Sequence, residues 1–131
     1  GAVKELRLVL TVDDFDAALA FYRDALGMEE REAWAGEGDG RIAILDAGAA
    51  TLEIVDETQA RAIDEIEVGR RVAGMVRLAL EVADSGSSGE RLAAAGAEVL
   101  AGPVVTPWRD RNVRVRTPDG LQLTLFSAVD E

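Results

Sequence analysis

Hydrophobic and polar residues alternate along two stretches of the chain, residues 5–12 and 75–82, which resemble each other. This two-residue period is typical of a β-strand with one buried face. In the first stretch the leucines at even positions would face the core, while Arg7, Val9 and Thr11 would face the other side. The repetition, at an offset of about 70 residues, predicts two copies of one structural unit.

Each alternating stretch is followed by a predicted helix that ends at a glycine. Between residues 15 and 26 the apolar residues return with the 3.6-residue period of an amphipathic helix. Asp13 or Asp14 can cap this helix, and Gly27 can end it. The second helix is expected to end before Gly96.

Short strand-like runs complete each unit, and they lie near 28–34, 41–46, 51–55, 97–100, 111–116 and 121–126. The pattern predicts an α+β fold of two tandem β-α-β-β-β modules, residues 4–55 and 74–127, within a single domain spanning 1–131. Residues 56–73 would be the linker, and its middle, 58–66, has a helical composition.

The composition excludes several kinds of chemistry. The 131 residues include 25 acidic and 14 basic side chains, a net charge of −11, with no histidine and no cysteine. Disulfides, thiol nucleophiles and Ser-His-Asp triads are therefore excluded, and a metal would have only oxygen ligands. The acidity argues against a nucleic-acid partner. No apolar run approaches the ~20 residues of a membrane span, and we expect a cytoplasmic protein.

Three segments resemble the vicinal oxygen chelate superfamily, also called the glyoxalase/bleomycin resistance/dioxygenase proteins. They are 14–27 (DFDAALAFYRDALG), 94–98 (AAGAE) and 118–126 (PDGLQLTLF), with Thr117 in place of the first Asp of the family's Asp-Pro-Asp-Gly turn. The resemblance implies one curved mixed sheet with an open groove, helices on its outer face, and a homodimer.

Members of this superfamily usually hold a metal with side chains on the first and last strand of each module. The resemblance places these four positions at Arg7, Glu53, Arg77 and Thr124. Only Glu53 could ligate a cation, and two arginines would repel it. We therefore expect no metal and no cofactor.

Strand alternation extends the predicted lining of the groove. Gln122 and Phe126 share a face with Thr124, and Arg114 and Arg116 share a face with Asn112. By the same rule Arg41 and Glu81 would face the groove. Five arginines would then meet two carboxylates, Glu53 and Glu81, so that the pattern predicts a basic groove. A carboxylate beside arginines is expected to have a lowered pKa.

Two further aromatic residues are candidates for the groove wall. Trp34 ends a strand, and Trp108 lies in the loop before the seventh strand, where either could stack on a flat ligand. Packing or a dimer contact would explain each of them equally well. Tyr22 is assigned to the core, and the Asp64-Glu65-Glu67 cluster to a solvated face of the linker.

Three functions fit these observations. The first is metal-independent binding of a small anionic or aromatic molecule, with a role in drug sequestration possible. The second is an enzyme of lyase, isomerase or dioxygenase type with an altered or oxygen-only metal site. In it Glu53 or Glu81 could act as general base on a carbonyl substrate, with Arg7 or Arg77 stabilising the enolate, but no catalytic residue is assigned. The third is a structural dimer, in which arginines and carboxylates fill a vestigial site by pairing with each other.

Overall fold

The computed structural model describes residues 3–118 and 120–129; Asp119, in the predicted Pro118–Gly120 turn, lies outside them. Within these ranges the strands are β1 Val3–Val12, β2 Glu30–Ala35, β3 Arg41–Ala47, β4 Ala50–Asp56, β5 Val76–Val82, β6 Glu98–Val105, β7 Asp110–Arg116 and β8 Gln122–Ala128. The helices are α1 Phe15–Leu19, which continues as a π-helical segment Ala20–Ala25, α2 Glu57–Glu67 and α3 Ser85–Ala94, with a 3₁₀ turn at Glu37–Asp39.

The strands form one mixed sheet in the order β2-β3-β4-β1-β5-β8-β7-β6. Within each unit the first strand pairs in parallel with the last, β1 with β4 and β5 with β8. Antiparallel pairing of β1 with β5 joins the two units. The α+β class and the repeated β-α-β-β-β pattern predicted from the sequence are confirmed.

Helices α1 and α3 cover the outer face of the sheet. Asp14 caps α1 by accepting a hydrogen bond from the Ala17 amide at 2.9 Å. Phe15 and Leu19 then pack on the buried side chains of β3 and β4, with Tyr22 partly buried beside them. Leu92 of α3 likewise packs against the buried side chains of β7 and β8.

Helix α2, within the predicted linker, lies on the other face of the sheet. Its apolar side chains Ala60 and Ile63 pack against Val9, Val55 and Phe126. These strand residues share a face with Arg7, Glu53 and Thr124, because side chains two residues apart in a strand point the same way. The linker therefore occupies part of the groove. Among the described residues, no helix is both long and apolar enough to cross a membrane.

Candidate functional site

A cavity of about 420 Å³ opens on the groove face of the sheet. Side chains of β2 and of β7 both line it, although six strand spacings separate these strands in the sheet order. A flat sheet would hold them about 29 Å apart, so the sheet must curve around the cavity. Six of the nine predicted site residues line it, namely Arg7, Glu53, Arg77, Trp108, Thr124 and Phe126.

The register of the central strands brings the four family positions together. Val9 of β1 pairs with Glu53 on one side and with Arg77 on the other, and Ala79 pairs with Thr124. The Arg77 Nη1 donates to Thr124 Oγ1 at 2.9 Å. The Arg7 Nη1 lies 3.7 Å from Glu53 Oε1.

Burial dominates the electrostatics at the centre of this group. It raises the pKa of Glu53, although Arg77 and Arg7 act in the opposite direction. The expectation of a lowered pKa at this carboxylate is therefore wrong, because the loss of hydration outweighs the neighbouring charges. Burial likewise lowers the pKa of Arg77, against the attraction of Glu67 and Glu53, but a guanidinium still carries its charge at neutral pH.

These residues do not fit the divalent metal that the family's ligand positions imply. Arg7 and Arg77 have no acceptor atom to offer a cation, and Glu53 is the one carboxylate among the four. The described part of the chain gathers no group of three or more carboxylates, histidines or cysteines that could hold a metal ion.

Arg114 faces α2 instead of the cavity. It is fully buried. Its Nη1 lies 2.7 Å from Asp64 Oδ1, and its Nη2 lies 2.8 Å from Glu67 Oε1. Gln122 accepts from Arg114 at 3.1 Å and donates to the Val72 carbonyl at 3.0 Å. Arg114 and Gln122 therefore anchor the linker, and their prediction as lining residues is wrong because α2 covers them.

The same contacts overturn the interpretation of the acidic cluster as a solvated face. Asp64 and Glu67 are 1% and 4% exposed. Together with Ala60 and Ile63 they form a stripe at the i, i+3, i+4, i+7 spacing of one helix face. That stripe is visible in the sequence, and it could have indicated that both carboxylates face inward.

Two other predicted arginines lie outside the groove. Arg116 is at the end of β7, where its exposed side chain pairs with Glu98 at 2.9 Å. Arg41 pairs with Asp16 at 2.9 Å and lies 4.3 Å from the centre of the Phe15 ring, on the outer face. On β3 the groove side belongs to Ile42 and Ile44, so the face assigned to Arg41 from the pattern is wrong.

The prediction of a basic groove is therefore wrong. The lining contains two arginines, Arg7 and Arg77, and four carboxylates, Glu32, Glu53, Glu67 and Asp110. Even with Glu67 assigned to Arg114, the carboxylates outnumber the arginines. Glu81 does not line the cavity; it is partly buried and pairs in register with Glu5.

Aromatic side chains form much of the remaining wall. Trp34 and Trp108 both line the cavity and are 45% and 42% exposed. Phe126 is buried, with the Arg7 guanidinium 5.1 Å from the centre of its ring. Trp34 comes from an edge strand of the first unit and Trp108 from a loop of the second, so both units contribute aromatic surface.

Sequence reasoning missed Asp110, which lines the cavity next to this wall. Burial raises its pKa, Arg7 opposes the change, and Glu81 adds to it. Asp110 begins β7 on the face of Asn112 and Arg114, so extending the alternation by one step would have found it. Gln59 of α2 also lines the cavity, and no pattern in the sequence indicates its position there.

A protein-family model, Glyoxalase/Bleomycin resistance protein/Dioxygenase superfamily, matches residues 6–125. No curated protein matches the chain. A hypothetical protein from Bacillus halodurans C-125 has a similar structure at 14% identity, with a TM-score of 0.74, over 100% of this chain and 98% of that one. A glyoxalase/bleomycin resistance protein/dioxygenase superfamily member from Vibrio splendidus 12B01 is 15% identical over 94% and 97%, with a TM-score of 0.64.

A methylmalonyl-CoA epimerase from Streptomyces coelicolor, in complex with 2-nitronate-propionyl-CoA, is also similar. It is 21% identical, with a TM-score of 0.70, over 99% of this chain and 100% of that one. At these identities the structures support the fold alone.

Proposed function

Because the chain belongs to the glyoxalase/bleomycin resistance protein/dioxygenase superfamily, we propose that it binds a small organic molecule with a flat aromatic part in its cavity, without a metal ion. One observation carries the proposal: a cavity of about 420 Å³ is walled by two half-exposed tryptophans from different units of the fold. This volume lies within the range of small-molecule pockets.

The aromatic wall supports a flat ligand. Trp34 and Trp108 keep part of their ring surface in contact with water, and an aromatic ring stacked on them would bury that surface. The isoleucines of β3 and Ile63 of α2 add apolar surface to the same cavity. Polar groups at the centre, including Glu53 and Arg77, would fix the orientation of the ligand.

The metal-free part of the proposal rests on residue chemistry. Two of the four positions used by the family for ligands are guanidiniums, one of which donates to the hydroxyl at a third, Thr124. Glu53 is already near Arg7 and feels the charge of Arg77. A divalent cation would have to displace these contacts and overcome the repulsion of two fixed charges.

A second candidate is a proton-transfer enzyme acting next to a carbonyl group. The buried Glu53, whose pKa is raised, is a suitable general base. Arg77 would stabilise the developing negative oxygen in place of a metal. This alternative predicts exchange of a substrate proton with solvent deuterium that is lost in Glu53→Gln, whereas binding alone predicts no exchange.

The test of the proposed function is calorimetric titration with a neutral flat probe, quinoline at pH 8, in the presence of EDTA. We expect saturable binding with one site per chain, and roughly tenfold weaker binding in Trp34→Ala and Trp108→Ala, because each loses a stacking surface. Phe21→Ala is the matched control, since Phe21 is 60% exposed and lies outside the cavity lining. Binding that disappears with EDTA, or that survives both tryptophan replacements, would refute the proposal.

A further inference from the structure

The charges around the cavity are unbalanced, and we infer from them that its ligand carries a positive charge, as an aromatic nitrogen cation or an aryl ammonium ion does. The inference rests on the proposed function and specifies its ligand class. It reverses the preference for an anionic ligand that the sequence pattern suggested.

The two lining arginines are already engaged. Arg7 Nε donates to Glu5 at 2.7 Å, and the same guanidinium lies near Glu53 and over the ring of Phe126. Arg77 donates to Thr124 and is surrounded by the negative charges of Glu67 and Glu53. An incoming carboxylate would have to compete with these partners, so neither arginine is a ready anion site.

Two lining carboxylates, by contrast, form no close ion pair, although the charge of Arg7 acts on Asp110 and the Trp108 side chain donates a hydrogen bond to it. Neither Glu32 nor Asp110 forms an ion pair within 4 Å with any residue in the described ranges. Glu32 is two residues before Trp34 on β2, and Asp110 is two residues after Trp108. All four side chains line the cavity. A carboxylate beside an exposed indole attracts a cation twice, through its charge and through the π-face.

Two buried amide side chains of the cavity wall bear on the class of ligand. Asn112 and Gln59 line the cavity and are both 4% exposed. Asn112 Oδ1 and Gln59 Oε1 are buried without a hydrogen-bond donor in the described part of the chain. Unsatisfied acceptors of this kind are costly. Gln59 Oε1 packs against Gly36, whereas an N–H group of a cationic ligand would supply the donor that Asn112 Oδ1 lacks. An anion would add further acceptors.

The hydrogen bond from Asn112 to Glu67 fixes the orientation of this amide. Its Nδ2 donates to Glu67 Oε2 at 2.9 Å, so the oxygen is the atom left without a partner. A flipped amide would place two oxygens against each other. The acceptor surplus is therefore a property of the packing around α2.

The experiment compares three flat two-ring probes that differ in charge: 4-aminoquinoline, which is protonated and carries N–H donors at pH 8, quinoline at the same pH, and 2-naphthoate. Calorimetric titration at 50 mM salt is expected to rank them cation, neutral, anion, with the cation bound roughly tenfold tighter than quinoline. In Asp110→Asn and in Glu32→Gln we expect the cation to lose about fivefold in affinity while quinoline changes less than twofold. Glu90→Gln, which removes an exposed charge from α3, is the matched control and should change neither.

The outcomes separate this inference from the proposed function. If quinoline and naphthoate bind as tightly as the cation, the charge inference fails and the aromatic site stands. If no probe binds, the proposed function itself fails. If the cation is preferred but both carboxylate variants keep its full affinity, the assignment to Glu32 and Asp110 is wrong. Thermal unfolding of each variant confirms that a loss of affinity reflects the site and not the fold.

Discussion

Arg114 is buried and pairs with the carboxylates of α2, although strand alternation alone places it on the groove face. Its guanidinium contacts Asp64, Glu67, Thr124 and Gln122. The alternation correctly gives the face, but only the position of α2 decides whether that face is open. Because Asp64 and Arg114 are 50 residues apart in the sequence, no local pattern connects them.

Removing this guanidinium should destabilise the protein strongly. Arg114→Met leaves Glu67 buried without its ion-pair partner and Asp64 paired with Arg71 alone, and breaking a buried pair in this way typically costs about 3–5 kcal/mol. Urea unfolding at pH 7 measures the loss. The matched variant Arg116→Met breaks an exposed pair with Glu98 and should cost under about 1 kcal/mol. Equal effects of the two replacements would show that the buried cluster does not stabilise the fold.

The four positions at the centre of the site were predictable, and the outer ones were not. Arg7, Glu53, Arg77 and Thr124 follow from the resemblance to the superfamily, and the strand alternation then fixes the face on which they lie. Arg41 follows the alternation but on the outer face, because Ile42 and Ile44 take the groove face of β3, and Arg116 lies at the exposed end of β7. Asp110 needed only that β7 begin one residue earlier than expected.

Helix α2 is the element that turns an open groove into a cavity. Asp56 caps it by accepting from the Gln59 amide at 2.8 Å, and its first turn packs tightly on the turn before β3. A Cβ added at Gly40 would lie 2.4 Å from the Gln59 backbone nitrogen. The sequence predicted this helix, but its acidic composition concealed that one side is buried.

Adding a methyl group at this contact should displace the helix. Gly40→Ala is expected to lower the free energy of unfolding by about 1–3 kcal/mol, because the clash involves backbone that cannot rotate away. Gly74→Ala is the matched control, since a Cβ there meets nothing within 4 Å. Chemical denaturation of both variants checks the result. A Gly40→Ala protein as stable as the control would mean that α2 shifts freely on the sheet.

At the scale of the whole molecule, two sets of carboxylates respond to acid in opposite ways. Burial raises the pKa of Asp64, but hydrogen bonds from the Ala73 amide and from Arg114 outweigh it, and the net pKa is lowered. Its contribution to stability is therefore lost as the pH falls through that lowered pKa. Glu53 and Asp110 have raised pKa values in the folded protein, so they bind protons more readily there than in the unfolded chain and favour folding as the pH falls.

The protein should therefore be most stable at mildly acidic pH. As the pH falls, the free energy of unfolding first rises while Glu53 and Asp110 take up protons. It then falls as Asp64 is protonated. Thermal unfolding between pH 8 and pH 3 should show a rise of a few degrees before the fall. Glu53→Gln should flatten the rise, and Asp64→Asn should weaken the fall. A melting temperature that declines steadily from pH 8 would contradict this scheme.

The homodimer and the cytoplasmic location stay predictions from the resemblance and the composition.

The buried cluster of Arg114, Asp64 and Glu67 also bears on how such a chain can evolve. Two repeated units joined by a dispensable linker could be encoded by separate genes. Here the linker supplies carboxylates to the interior of the second unit and cavity wall to both. A break after β4 would leave the first unit without its cover, and a break before β5 would leave Arg114 without its partners. Splitting the chain at either point would therefore uncover buried side chains, which limits how such a sequence can vary.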